Sequence, residues 1–163
     1  MIIGRENEIQ ELKGAFESEY SEFVVVYGRR RVGKTYLIRE TFDYTFTFQH
    51  SGVANVTKRE QIKNFVSSLR KHGMVVKRIP KTWFEVFDLL EEFLEKSPDK
   101  KKRIFLDEIP WMDSQKSNFV SALEHFWNNW ASARKTSIFA ASPAGTPLSE
   151  RRSGAVCRRY SFT

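Results

Sequence analysis

Apolar residues along this chain follow two rhythms, one helical and one strand-like, which alternate as far as about residue 141. Residues 5–18 carry Ile9, Leu12 and Phe16 on one helical stripe. FVVVY at 23–27 is an unbroken β-branched and aromatic run, the signature of a strand covered on both faces in a parallel sheet. A polar loop follows, then Tyr36, Leu37 and Ile38 open a helix, and YTFTF at 44–48 alternates as a second strand. Thr57 with Glu60, and Thr82 with Glu85, have the spacing of capping boxes, in which a hydroxyl accepts the N–H of the residue three positions on. The first precedes the stripe Ile62, Phe65, Val66 and Leu69, and the second precedes Val86, Phe87, Leu90, Phe93 and Leu94. SPDKKKR at 97–103 reads as a solvated, charged turn, and RIFLDE at 103–108 as a third strand ending in two acids. Phe119, Leu123, Phe126, Trp127 and Trp130 recur at helical spacing as core packing, and TSIFAA at 136–141 is a fourth strand. Strands alternating with helices predict an α/β fold with a parallel sheet and right-handed crossovers.

The 163 residues are one domain's worth of chain, with 40% hydrophobic and 29% charged residues. No apolar run approaches the roughly 20 residues of a membrane-spanning helix, so no membrane association is expected. The N-terminus turns charged after three residues and a lone cysteine, Cys157, has no internal disulfide partner, so a cytoplasmic location is expected. His50, His72 and His125 share no metal-ligand spacing with each other or with Cys157. The net charge of +7 biases the chain towards polyanions, because clustered cations gain affinity by releasing counterions. Against that stands the plainer reading of a solvated basic surface, since aromatic and basic residues do not alternate as in a nucleic-acid module. A homo-oligomer is compatible with the sequence but nothing in it indicates one.

The polar loop carries the chemistry. GRRRVGKT, Gly28 to Thr35, has two glycines with four residues between them, followed by Lys and Thr, which is the phosphate-loop pattern. Its requirement of a buried strand before and a helix after is met by the periodicity alone. Glycines let the chain wrap a triphosphate closely where a Cβ would collide, so that backbone N–H groups aim inward. The pattern makes Gly28, Arg29, Arg30, Arg31, Val32, Gly33, Lys34, Thr35 and Tyr36 the candidate nucleotide-binding segment. Lys34 reaches the β and γ phosphates, Thr35 ligates Mg²⁺, and the following helix directs its positive end at the anion. The three arginines occupy positions that the pattern leaves free. A phosphate loop needs a second acid delivered by another core strand, and IFLDE supplies it. Asp107 is expected to hold Mg²⁺ through water, and Glu108 to be the base that polarises the attacking water.

With these residues in view the chain resembles the AAA+ ATPases, and more closely the predicted archaeal and bacterial ATPases on the signal-transduction (STAND-like) side of that superfamily. The resemblance rests on IIGRENEIQEL at 2–12, FVVVYGRRRVGKTYLI at 23–38 and IFLDEIPWM at 104–112, and covers about residues 1–142. It implies a P-loop NTPase fold, a three-layer αβα sandwich with a mainly parallel sheet of order 5-1-4-3-2, binding ATP and Mg²⁺ and hydrolysing ATP to drive conformational switching. It also implies a segment near the adenine at Ile3, Gly4 and Arg5, and a polar residue at the end of the fourth strand that senses the γ phosphate, for which Ser142 stands nearest.

The resemblance further implies a fifth strand, nucleotide-reaching arginines, a helical lid and, often, a nuclease-like C-terminal domain. Residues 143–163 instead have no lysine and no apolar periodicity, so the fold is expected to be incomplete, with a divergent or disordered tail. A truncation or frameshift near residue 140 is the other expectation, and without lid and arginine finger turnover is expected to be impaired. The competing function is a basic nucleic-acid-binding module with a regulatory or vestigial nucleotide site. A small-molecule kinase would place a substrate-binding acid where the Asp107-Glu108 pair stands, and a GTPase is disfavoured because the Asn-Lys-x-Asp motif is absent.

Overall fold

The computed structural model describes residues 3–29 and 31–143 in full and the backbone of 157–162; Arg30 and residues 144–156 lie outside the described residues. Helix α1 (Glu6–Glu17) leads into strand β1 (Glu22–Gly28), which ends in the polar loop, and α2 (Lys34–Thr41) leaves it. Strand β2 (Phe48–Ser51) is followed by the helices α3 (Lys58–Lys71) and α4 (Trp83–Glu95). Then come β3 (Lys102–Asp107), the single-turn α5 (Ile109–Met112), α6 (Phe119–Asn129), β4 (Thr136–Pro143) and β5 (Cys157–Phe162).

The five strands form one sheet in the order β2-β3-β4-β1-β5, all neighbours parallel. That is the 5-1-4-3-2 order implied by the resemblance. Because successive side chains on a strand point to opposite faces, the central strands feed two cores at once. Phe23, Val25, Ile104, Leu106, Ile138 and Ala140 pack with α3, α4 and α6, whereas Val24, Val26, Phe105, Phe139 and Ala141 pack with α1 and α2. Burial on both faces is why these strands read as continuous apolar runs. The result is the three-layer αβα sandwich, and no helix among the described residues is long and apolar enough to cross a membrane.

Both capping boxes form. Glu60 N–H donates to the Thr57 hydroxyl at 3.2 Å, and Glu85 N–H to that of Thr82 at the same distance. The helical stripes that follow are buried, with Ile62, Phe65, Leu69, Val86, Leu90 and Leu94 all at 1% exposure or less.

Two expectations are corrected. The second strand does not occupy 44–48. Asp43 and Tyr44 adopt left-handed backbone (φ 52° and 57°) in the turn that ends α2, where Tyr44 N–H donates to the Arg39 carbonyl at 2.8 Å. The alternation in YTFTF reflects loop packing, with Phe46 between Phe42 and Phe105, and the ladder to β3 starts only at Phe48↔Ile104. In addition, residues 157–162 of the expected tail form β5, running beside β1 from Phe23↔Cys157 to Gly28↔Phe162. An edge strand is held through backbone hydrogen bonds on one side only, so it can form without the apolar run that marks a central strand.

Candidate functional site

The carboxyl ends of β1, β3 and β4 meet at one rim of the sheet, and parallel strands deliver whatever follows them to that same rim. Gly28 is the last residue of β1 and pairs with Pro143, so Ser142, beside Tyr27, is set directly against the start of the loop. The loop then turns into α2 through Gly33, whose φ of 86° is a left-handed value that only glycine adopts without strain. Its carbonyl accepts the Leu37 N–H at 2.8 Å and closes the first helical turn. The remaining first-turn N–H groups have no helical partner, and the helix dipole adds positive potential there.

Lys34 is the first residue of α2 and is buried at 9% exposure. Its ammonium donates to the Gly28 carbonyl at 3.1 Å and to the Arg29 carbonyl at 2.6 Å, which occupies two of its three N–H groups. Burial draws its pKa below the ordinary lysine value, against the opposing pull of Asp107 and Glu108. An ammonium held in this way is a point charge at the mouth of the loop with one donor left over.

Thr35 and Asp107, 72 residues apart, meet side chain to side chain, the hydroxyl donating to Oδ2 at 2.8 Å. The other carboxylate oxygen accepts the Glu108 N–H at 2.9 Å. Asp107 is buried at 7% exposure because Ile104, Phe105 and Leu106 before it are core residues that pull the strand end inward. Its neighbour Glu108 is exposed and takes a left-handed φ of 54°, a conformation costly for a residue with a side chain. That turn carries the chain out of β3 and into α5, whose Trp111 N–H donates to the Glu108 carbonyl at 3.1 Å.

Gly52 holds this turn from the far side and was not singled out by sequence reasoning. Its N–H donates to the Asp107 carbonyl at 3.0 Å, extending the β2–β3 ladder by one residue. A Cβ at Gly52 would stand 2.5 Å from the Glu108 carbonyl oxygen and 3.1 Å from Met112. The backbone at Gly52 therefore approaches the acidic turn more closely than any side-chain-bearing residue could. Gly52 directly follows β2 but lies four residues beyond the expected strand at 44–48, so nothing in the sequence pattern marks it.

An open cleft of about 570 Å³ runs over these groups. Arg31, Gly33, Lys34, Thr35, Tyr36, Asp107, Glu108 and Ser142 line it. Gly28 and Arg29 contribute carbonyls to Lys34, while Val32 packs against the α1–α2 core instead. Arg30 lies outside the described residues. Ile3, Gly4 and Arg5, expected near an adenine, do not line the cleft among the described residues; Arg5 pairs with Glu8 at 3.3 Å. Arg39 and Tyr44, not anticipated, close its outer side.

A family model described as an ATPase domain predominantly from Archaea matches residues 2–160. The chain belongs to that family. The match runs on through the segment expected to be a divergent tail, as does the sheet. Among curated proteins, this archaeal-type ATPase domain is 24% identical over 151 residues to an uncharacterized protein of Methanocaldococcus jannaschii, with 93% of the chain and 31% of that protein covered. Among solved structures it superposes on the Walker-type ATPase of Pyrococcus abyssi with a TM-score of 0.60 at 20% identity, covering 97% of this chain and 54% of that one. It also superposes on a chain from the structure of Drosophila ORC bound to DNA, with a TM-score of 0.62 at 14% identity, covering 98% and 43%. The ATPase domain thus spans about a third of its curated relative and about half of each of these solved chains. Those likenesses establish its fold as that of the P-loop ATPases.

Proposed function

We propose that the domain binds ATP with Mg²⁺ in the cleft over the Gly28–Thr35 loop and hydrolyses it, coupling turnover to conformational switching. The observation that carries this reading is the 2.8 Å contact between the Thr35 hydroxyl and the buried Asp107 carboxylate, 72 residues apart. Folding has brought a hydroxyl and a carboxylate, two hard oxygen ligands, together beside a cationic lysine at a helix N-terminus. Such a donor set suits Mg²⁺, which prefers oxygen and keeps part of its water shell. In this reading Thr35 and Asp107 hold the ion, which when bound would neutralise phosphate charge. Lys34 and the first-turn N–H groups orient the phosphates, and the exposed Glu108 accepts a proton from the attacking water. In the same reading Ser142, which lines the cleft at the end of β4, would sense the γ phosphate, and Arg29 and Arg31 add positive charge to the loop.

Calorimetric titration with MgATP tests the assignment. Lys34→Ala removes a charge-assisted contact of about 2–5 kcal/mol, which lowers affinity by roughly 30-fold or more. Unchanged affinity in that variant overturns the phosphate-loop reading.

A second reading concerns the partner. The net charge of +7 supports nucleic acid as the polymer on which the ATPase acts, and so does the likeness to a chain of Drosophila ORC bound to DNA. A cytoplasmic location accords with both readings.

A further inference from the structure

The charge of this chain is not spread evenly. The stretch from residue 58 to 81, lying between the N-caps Thr57 and Thr82, holds eight of the 27 Lys and Arg and one of the 20 acids, Glu60. The other 19 cations and 19 acids cancel, so the whole net charge of +7 resides in these 24 residues. They form α3 and the loop after it, and Arg59, Lys63, Arg70, Lys71, Lys77, Arg78 and Lys81 are exposed. Helical spacing sets Arg59, Lys63 and Arg70 within an arc of about 40°, a stripe along a helix about 21 Å long.

No ion pair among the described residues neutralises them. Among the described residues the ion pairs are Arg5–Glu8, Lys96–Glu92 and Arg134–Glu95, none of which involves this segment. Helix α4, packed beside α3, is acidic, and Glu85 at its start accepts the Lys81 backbone N–H at 3.0 Å, but the ion pairs its carboxylates make lie with other partners: Glu92 with Lys96, and Glu95 with Arg134, the Trp130 indole also donating to Glu95. At the C-terminal end of α3, Lys71 joins Arg39 of α2 and Gln49 of β2 in lining a cleft of about 420 Å³ along the outer edge of the sheet. Lys71 lies about 100° round the helix from Arg70, so this cleft opens beside the stripe and adds two cations, Lys71 and Arg39, to the same side of the molecule.

We propose that α3, the 72–81 loop and this edge cleft form a docking face for the phosphodiester backbone of a nucleic acid. This deepens the second reading above by giving its partner a place. Helix α3 carries no exposed apolar side, because Ile62, Phe65, Val66 and Leu69 are fully turned into the core, and Val75 in the loop is a lone exposed apolar side chain among the cations. A membrane-binding basic helix needs an exposed apolar side to insert, and this one has none. An extended row of cations without that side matches a linear polyanion in water.

The experiment compares the whole chain with two variants of equal net charge. In the face variant Arg59→Gln, Lys63→Gln, Lys77→Gln and Arg78→Gln are combined. In the control, Lys13→Gln, Lys100→Gln, Lys116→Gln and Lys135→Gln remove the same charge from exposed sites elsewhere. Affinity is read by fluorescence anisotropy on 20-base-pair duplex DNA, single-stranded DNA and RNA across a salt series, and by sedimentation with phosphatidylserine vesicles. Each lost phosphate contact lowers the salt slope by about 0.9, so the face variant is expected to lose about 3 to 4 units of slope and at least tenfold in affinity. The control is expected to stay within about threefold of wild type, and the preferred probe identifies the polymer. Equal losses in both variants overturn the docking face while leaving nucleic-acid binding intact. Failure of wild type to bind any nucleic acid, or binding to vesicles alone, overturns the partner as well. Retained MgATP binding in the face variant separates either result from a failure of the nucleotide site.

Discussion

His50 offers a prediction whose size follows from the structure. It lies in β2 at 4% exposure, its Nδ1 is 2.7 Å from the Ser68 hydroxyl, and its Nε2 has no partner among the described residues. Burial, reinforced by the positive charge of Lys71, pushes its pKa down from 6.5 to about 3. The folded protein therefore keeps His50 neutral between those values, while the unfolded chain takes up a proton below pH 6.5. Stability must fall as pH falls, because the unfolded state binds more protons. Between pH 7.5 and 5 the loss from this group is about 2 kcal/mol, and by pH 3 it reaches about 4 kcal/mol. Other carboxylates titrate in the same range, so the measurement is a difference. Urea unfolding of wild type and His50→Gln is followed at pH 7.5, 6 and 5. The substitution's own packing cost is constant with pH and drops out. The gap between the two stabilities is expected to shift by about 2 kcal/mol in favour of the variant from pH 7.5 to 5. Curves that stay parallel to within about 0.5 kcal/mol would refute the assignment of a neutral, buried His50.

The remaining predictions concern the cleft. Lys34→Ala is expected to lose MgATP affinity in calorimetry, as set out above. Glu108→Gln keeps the shape of the side chain but removes its charge and basicity, so MgATP affinity should persist while single-turnover hydrolysis slows by about 10²- to 10⁴-fold; an unaltered rate would remove Glu108 from the chemistry. Gly52→Ala forces a Cβ to within 2.5 Å of the Glu108 carbonyl, so the acidic turn must move. Hydrolysis is expected to fall roughly 10- to 100-fold with nucleotide affinity nearly unchanged, and equal losses in both would instead point to general unfolding.

What could be read from the sequence was what repeats or what punctuates. The central strands announce themselves because burial on both faces demands apolar residues at every position, and the two capping boxes because a hydroxyl must sit three residues before its N–H partner. The phosphate loop was legible for the same kind of reason, since close wrapping requires Gly33 at a positive φ and a lysine immediately after it. Edge strands escaped. β2 is four residues, FQHS, with Phe48 its sole residue of high strand propensity, and β5 was hidden in a stretch with no apolar rhythm. Gly52 and the cleft beside His50 were invisible for a different reason. Both depend on which residues of β2 face β3 and α3, and a strand placed four residues early turns every such inference to the wrong neighbour.

That misplaced strand is also where the two proposed sites come closest. β2 pairs with β3 up to Ser51↔Asp107, Gly52 then binds the Asp107 carbonyl, and the same short strand carries Gln49 and His50 into the cleft beside Lys71 of α3. A polyanion on α3 and the acids over the nucleotide are joined by two routes, this strand and the direct packing of α3 on α5, the turn that follows Glu108. A ligand shifts such an element only by its difference in affinity for two arrangements of it. At the glycine, strand and acidic turn are tied by the bond from the Gly52 N–H to the Asp107 carbonyl, at a place where a Cβ would collide with the Glu108 carbonyl. Coupling through these contacts would be reciprocal: whatever factor nucleotide imposes on the partner's affinity, the partner imposes on the nucleotide's.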